Sequence, residues 1–476
     1  MDFFVSLILS HRLFLRHKVL TVEANLHEAY ALVDNDRASI LLVKINDIIK
    51  KNTYSPFLYC SLDVCGQLQT TIQFAIRNIA ASYYLQMGEM YYDREMLTVN
   101  DGTLIALDWA YMSTLKQTQR HQSLSACGHL GEDNGTPIII LHHGLCGDSS
   151  SEHIVLLARK FLTCKYTKFR VVVVVMRGCG GIKLSNSNTM NGSRTGDIRA
   201  AIEHLKHKYP KSRLFGVGFS LGAAVILKYL GEEGNATALE AAVCVSPPWD
   251  GRKKGPYFPL WSVFLALPVK LYALRHRTML DKRLNLMSVL TAKTLGEVDT
   301  LLALSYGFKT ANEYYVACSP LALAANIMIP TLAISAMDDP VCSHHSVPVR
   351  QSALQNTSST SHISVGKSRE EGIKYIASCL NSVQIGDSEA IDKVIDLDID
   401  STSLSTSLLH EDSQCGLLLL KTPLGGHLAF PSIYSSDDID GDRDRFSFSF
   451  LTHMTNSWSD DVTFDWILSF FPVEPS

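Results

Sequence analysis

Residues 218–222 read GFSLG, a Gly-x-Ser-x-Gly pattern. An apolar run enters it (LFGVGF, 214–219) and a helix-forming run leaves it (LGAAVILKYL, 221–230). A serine hydroxyl becomes a useful nucleophile when a base takes its proton. It also needs a strained strand-to-helix turn to project it from a sheet edge, close to a helix N-terminus that favours developing negative charge. Such a turn leaves no room for large side chains at 218 and 222. At average glycine and serine frequencies, about one chain in six of this length carries the pattern by chance. The strand before it and the helix after it therefore carry the identification of Ser220 as candidate nucleophile.

The base needs an orienting acid, and behind this kind of turn the chain order is Ser, then Asp or Glu, then His. AMDDPV follows the apolar run PTLAIS (330–335) and supplies Asp338 and Asp339. Asp339, just before Pro340, is the preferred acid, and Asp338 caps or braces the turn. PLGGHLAF follows LLLLKT and supplies His427, with two glycines that let the backbone bring the imidazole over the sheet edge. The oxyanion formed in acyl transfer needs two backbone N–H donors. These are assigned to Leu221, after the nucleophile, and to Leu145 in the loop HHGLCGDSS (142–150). Cys146 has no base paired with it in sequence and is read as packing.

Other clusters point less far. His143 and Asp148 have the H-x-x-x-x-D spacing of some acyltransferases, but their place in the oxyanion loop favours a role in loop architecture. Cys342, His344 and His345 lack a second cluster with metal-ligand spacing, so an exposed loop is expected and no metal. RGCGG (177–181) lacks the G-x-G-x-x-G spacing of a dinucleotide site. No cofactor is called for.

The elements that position these residues follow from periodicity. PIIIL (137–141), RVVVVV (170–175), LFGVGF, AAVCV (241–245), PTLAIS and LLLL (417–420) are short continuous apolar runs, the signature of parallel strands buried on both faces. Amphipathic stretches such as GDIRAAIEHLKHKY (196–209) lie between them, which is the doubly wound α/β pattern. REMLTVNDGTLIALDW (94–109) reads as a hairpin turning at Asn100-Asp101-Gly102. Residues 112–136 read as a loop. Residues 1–93 are expected to be mostly helical and separate from a catalytic domain over 94–476. Within that domain, about 250–325 reads as a helical cap. The Ser/Thr/Asp-rich stretch of about 352–413 reads as a disordered insertion with one helix at 369–381.

Composition sets the outer bounds. The chain has 476 residues with 46% hydrophobic and 19% charged, and a net charge of -4. Without a clustered basic excess, no nucleic-acid partner is expected. Eleven cysteines over this length do not make a disulfide framework, so a reducing, intracellular compartment is expected. The sequons at Asn134, Asn191, Asn235 and Asn356 are then idle. FFVSLIL (3–9) is too short for a spanning helix, and with His11, Arg12, Arg16, His17 and Lys18 it fits either an interfacial anchor or a packing helix. Nothing in the sequence sets the oligomeric state.

In unbroken order over about 94–430, the chain resembles a group of α/β-hydrolase-domain proteins. The group includes the bacterial YheT-type hydrolases, the plant embryogenesis-associated proteins, and the animal esterases and phospholipases called abhydrolase domain-containing proteins one and three. The segments that carry the resemblance are REMLTVNDGTLIALDW, HHGLCGDSSSEHI, MRGCGG, GDIRAAIEHLKHKYP, GVGFSLGAAVILKYLGEEG, SPPWD, YYVACSPL, IPTLAISAMDDP and GGHLAF, with LQTTIQFAIR (68–77) extending it upstream. It implies the α/β-hydrolase fold, the triad Ser220, Asp339 and His427, and carboxylesterase, monoacylglycerol lipase or phospholipase activity on lipid or small acyl-ester substrates. It also implies association with a membrane surface, although residues 1–45 lack the single full span usual in the animal members. An acyltransferase with the same nucleophile and a non-catalytic binding protein are the alternatives, and the intact Ser-Asp-His set speaks against the second.

Overall fold

In the computed structural model, residues 28–33, 35–52, 62–113, 133–255, 258–280, 284–349, 415–423, 425–430 and 457–472 are described. Nine strands form one sheet: β1 (Glu28–Ala31), β2 (Met90–Thr98), β3 (Leu104–Met112), β4 (Ile138–His142), β5 (Arg170–Val175), β6 (Leu214–Phe219), β7 (Leu239–Val245), β8 (Thr331–Ala336) and β9 (Leu417–Thr422). Their order across the sheet is β1-β9-β8-β7-β6-β4-β5-β3-β2. The six central strands from β9 to β5 are mutually parallel, while β1 and the β2–β3 hairpin close the edges antiparallel. The fold is the α/β-hydrolase fold, with a mostly parallel, doubly wound sheet.

Alternation along the strands divides the core. Ile139, Leu141, Val171, Val173 and Phe215 enter one layer, and Ile138, Ile140, Val172, Val174 and Leu214 enter the other. The first layer is covered by α1 (Asp36–Lys51), α2 (Leu62–Gln86), α3 (Glu152–Leu162) and the C-terminal helix Trp458–Leu468. The second is covered by α4 (Gly196–Lys208) and α5 (Leu221–Glu233). Cover on both faces is why these strands read as continuous apolar runs rather than as alternating ones.

Between β7 and β8 lie α6 (Phe258–Arg275), α7 (Arg277–Leu280), α8 (Leu286–Thr291), α9 (Leu295–Ser305) and α10 (Ala311–Cys318). α6, α8 and α9 share their own apolar cluster, which takes in Leu145 and Cys146 from the loop after β4. This is the stretch read from sequence as a helical cap. The C-terminal helix Trp458–Leu468, here α11, has no counterpart in the sequence reading. It is tied to α2 by the buried ion pair of Arg77 with Asp460 at 2.7 Å.

The division at residue 93 does not hold. It falls inside β2, whose nine residues pair in unbroken register with β3. Upstream of it, β1 pairs with β9, and α1 and α2 pack on the main core. Four residues, EAYA, are too few to show a strand period, and their partner lies at the other end of the chain, so local pattern could not reveal the connection. The possible anchor within residues 1–27, the 352–413 insertion with its helix at 369–381, and most of the 112–136 loop lie outside the described residues.

Candidate active site

β4 leads to β5 on one side and the chain returns to β6 on the other, so the strand order reverses between β4 and β6. Ligands of open α/β sheets bind at such reversals, beyond the carboxyl ends of the strands. Ser220 follows β6, the 142–150 loop follows β4, Asp338 and Asp339 follow β8, and His427 follows β9. All the residues singled out in the sequence therefore reach the same edge.

Ser220 has φ 50° and ψ −119°, a left-handed conformation that a side chain adopts only under constraint. The constraint is visible at the two glycines. A Cβ at 218 would stand 2.7 Å from the Gly222 carbonyl oxygen, and one at 222 would stand 2.5 Å from that of His142. Side chains there would force the turn apart. The Ser220 N–H donates to the Val245 carbonyl at 2.9 Å, locking the turn to β7.

Ser220 Oγ lies 2.9 Å from His427 Nε2, and His427 Nδ1 lies 2.9 Å from Asp339 Oδ2. The second oxygen of Asp339 accepts the backbone N–H groups of Val341 and Cys342, each at 2.8 Å. These bonds hold the carboxylate so that one oxygen faces the imidazole. With a proton on Nδ1 directed at Asp339, Nε2 is left to accept from the serine hydroxyl.

Asp338 turns the other way. Its Oδ1 accepts the Gly426 N–H at 2.8 Å, one residue before His427. Burial, with the neighbouring Asp339 charge adding to it, pushes its carboxyl up to about 7 against the pull of that hydrogen bond. The pair thus divides, with Asp339 on the imidazole and Asp338 on the backbone of the histidine loop.

The histidine loop has a further support that the sequence reading missed. The His427 N–H donates to Thr70 Oγ1 at 2.8 Å, and that hydroxyl donates to the Gly66 carbonyl at 2.6 Å. Both residues belong to α2. Gly66 presses directly on the Asp338 backbone, and a Cβ at 426, where φ is +57°, would stand 2.5 Å from Thr70 Oγ1. Thr70 lies inside LQTTIQFAIR, but spacing alone does not distinguish it from its neighbours. Ser246, after β7, is a second unanticipated support, since its Oγ accepts the Leu428 N–H at 3.3 Å.

The loop after β4 crosses close to the nucleophile, because a Cβ on Gly144 would stand 3.5 Å from Ser220 Cβ. His143 is buried and fixes this loop. Its Nδ1 bonds the Gly144 carbonyl at 2.7 Å, and its Nε2 accepts the Met176 N–H at 3.1 Å. Burial lowers its pKa to about 4, which keeps the ring neutral. Asp148 bonds Ser150 rather than His143, so the pair serves loop architecture. Leu145 packs against both the main core and the cap cluster. Leu221 opens α5, where the first N–H groups have no intrahelical acceptor. Burial pushes the Cys146 thiol up to about 12, far from the thiolate that reactivity requires.

Asp339, Cys342 and His427 bring possible ligand atoms within 4.8 Å of one another. The carboxylate and imidazole are already bonded to each other, and burial holds the Cys342 thiol well above its ordinary pKa, so this set suits a metal poorly. His344 and His345 stack on one another at 3.9 Å on a short turn outside this group. Of the residues expected on an exposed loop, His345 is exposed while Cys342 and His344 are half-buried, with Ser343, Ser346 and Val347 buried between and after them. In RGCGG, Gly178, Gly180 and Gly181 all have positive φ. The cap docks there through His276 on the Gly178 carbonyl at 2.8 Å and the Tyr272 hydroxyl on the Arg177 carbonyl at 3.1 Å.

A family profile described as the alpha/beta hydrolase fold matches residues 137–363. Among similar proteins, the phospholipase ABHD3 of Bos taurus is 27% identical over 272 residues, 56% of this chain and 62% of that protein. A monoacylglycerol lipase of Saccharomyces cerevisiae is 29% identical over 295 residues, 58% of this chain and 65% of the relative. The medium-chain fatty acid ethyl ester synthase/esterase 2 of the same yeast is 26% identical over 347 residues, 60% and 74% of the two chains. The match thus spans somewhat less than two thirds of the first two relatives' own length.

Proposed function

This chain is an α/β-hydrolase-fold protein related to proteins named phospholipase, monoacylglycerol lipase and ester synthase/esterase, and from that premise we propose that it is a serine hydrolase of lipid carboxylic esters. The observation that carries the proposal is the hydrogen-bonded chain from Asp339 through His427 to a Ser220 held in a left-handed turn.

In this reading His427 Nε2 takes the Ser220 hydroxyl proton as Oγ bonds to the ester carbonyl carbon. The carbonyl π electrons move to oxygen, and the Leu145 and Leu221 N–H groups receive that oxyanion. Asp339 holds the imidazole in its working tautomer and stabilises the imidazolium. As the tetrahedral adduct collapses, the bond to the leaving alkoxide breaks and Nε2–H returns its proton to that oxygen. Water repeats the sequence on the acyl-serine and releases the acid. An alcohol in place of water would give acyl transfer, a second reading favoured by the yeast relative whose name joins synthase and esterase.

An intracellular, reducing location belongs to the same proposal, on the sparse cysteines of the sequence. A fluorophosphonate probe tests the nucleophile. Labelling of the wild type and none of Ser220→Ala is expected, whereas equal labelling of both removes Ser220 from the role. Product analysis with an added alcohol separates hydrolysis from transfer.

A further inference from the structure

A surface helix ordinarily turns polar side chains outward and apolar ones to the core. α6 departs from this by carrying small residues inward and large apolar ones outward. It buries Ser262, Ala266, Val269 and Ala273 and exposes Leu260, Val263, Phe264, Leu267, Leu271 and Leu274. These six recur at three- and four-residue steps and form one stripe, on the face opposite the small buried residues. Phe264, Leu267 and Leu271 are 61%, 58% and 57% exposed, so the stripe is not a groove partly filled by the cap itself.

The charge around the stripe is one-sided. α6 contains no Asp or Glu, its charged residues are Lys270 and Arg275, and Arg277 opens α7. An apolar stripe on a helix whose own charged residues are all cations complements a lipid–water interface, where hydrocarbon lies below and anionic head-group oxygens lie at the margin. A protein partner with an apolar face would not by itself account for this sign. α6 is long and apolar enough to cross a bilayer by length and composition. However, Tyr272 and His276 bind the loop after β5 from its other side, and its small residues are packed in the cap. The helix therefore lies along a surface. The cluster beneath it includes Leu145 and Cys146, which puts that surface about one helix diameter, ~10–12 Å, from the loop over Ser220.

We propose that α6 is an interfacial helix whose Leu260-to-Leu274 stripe seats in a bilayer surface carrying anionic lipid and brings the Ser220 site to its substrate. The proposal rests on the lipid-ester reading for its purpose, but the surface itself is tested separately. The full chain is floated with phosphatidylcholine vesicles, with and without phosphatidylserine, and compared with Leu267→Glu/Leu271→Glu and with Leu267→Ser/Leu271→Ser. Both positions are exposed, so melting should be unchanged.

The wild type is expected to bind vesicles, more strongly with phosphatidylserine and less in added salt. The glutamate pair should lower the partition coefficient about 100-fold or more, as expected for withdrawing two leucines from hydrocarbon. The serine pair should fall in between. Turnover of a vesicle-borne monoacylglycerol should fall in parallel, while turnover of soluble p-nitrophenyl butyrate stays level. Equal binding by all three proteins overturns the proposal, as does failure of the wild type to float. A wild-type dimer that the glutamate pair dissociates, with no vesicle binding, assigns the face to a second copy instead. If the wild type binds through α6 but hydrolyses neither ester, the surface stands and the lipid-ester reading fails alone.

Discussion

Thr70→Val tests whether α2 sets the position of the His427 imidazole, the base in the proposed mechanism. Valine keeps the shape of the threonine and removes only the hydroxyl. That hydroxyl sits in a residue 6% exposed, accepting from the His427 N–H at 2.8 Å and donating to the Gly66 carbonyl at 2.6 Å. Gly66 has a helical bond to share its carbonyl, so the larger loss is the His427 N–H, which is left without a partner in a partly buried site. Such a group costs ~1–3 kcal/mol. If the loop stays in place, the cost appears as a lower melting temperature. If the loop shifts to find another acceptor, the imidazole moves with it, and the same energy appears as a ~5–150-fold loss of kcat. The assay is kcat and KM on p-nitrophenyl butyrate beside a thermal melt, for Thr70→Val and for Thr70→Ser, which keeps the hydroxyl. Thr70→Ser should recover most of the loss, and KM should change little, since Thr70 stands behind the histidine backbone. Unchanged kcat and melting in Thr70→Val would refute the reasoning. A Thr70→Ser variant as impaired as Thr70→Val would show that the methyl group, not the hydroxyl, matters.

The two aspartates should separate sharply. Asp339→Asn is expected to lower kcat by about 10³–10⁴-fold by losing control of the His427 tautomer. Asp338→Asn keeps an acceptor for Gly426 and should retain most of its activity, so a larger loss from Asp338→Asn would reverse the assignment. Because burial raises the Asp338 carboxyl from 3.8 to about 7, the folded protein holds that proton where the unfolded chain has released it. The stability this contributes is complete below about pH 4 and is lost as pH rises to about 7. Denaturation midpoints of wild type and Asp338→Asn should therefore diverge in favour of the variant across that range, and parallel curves would count against the buried-carboxyl account. Finally, Ser220→Gly should be more stable than Ser220→Ala by on the order of 1 kcal/mol in urea, because glycine relieves the positive φ while alanine retains it. Equal midpoints would mean that the turn stores no strain.

What was legible in the sequence was what local pattern encodes. The strands β4 to β9 were readable because parallel strands covered on both faces must be apolar at nearly every position, and the hairpin was readable from its turn residues. Ser220 was readable because its glycines answer a local requirement, with 218 and 222 facing backbone atoms that no side chain could clear. Asp339 and His427 could be named because each follows an apolar run, so the loops holding them had to open at strand ends.

Tertiary structure alone decided the rest, because those contacts join segments whose separation leaves no period or spacing behind. β1 reads as four ordinary residues until it finds β9, and the C-terminal helix acquires its place only when Asp460 meets Arg77. The sequence preferred Asp339 for its place before Pro340, but that Asp338 instead holds the Gly426 N–H depended on how the turn after β8 directs the two side chains. The hold of Thr70 on His427 and the pressure of Gly66 on Asp338 depended on α2 crossing behind both loops. The outward stripe of α6 could not be distinguished from a core helix by its residues, since an apolar face looks the same in sequence whether it meets protein or is left exposed.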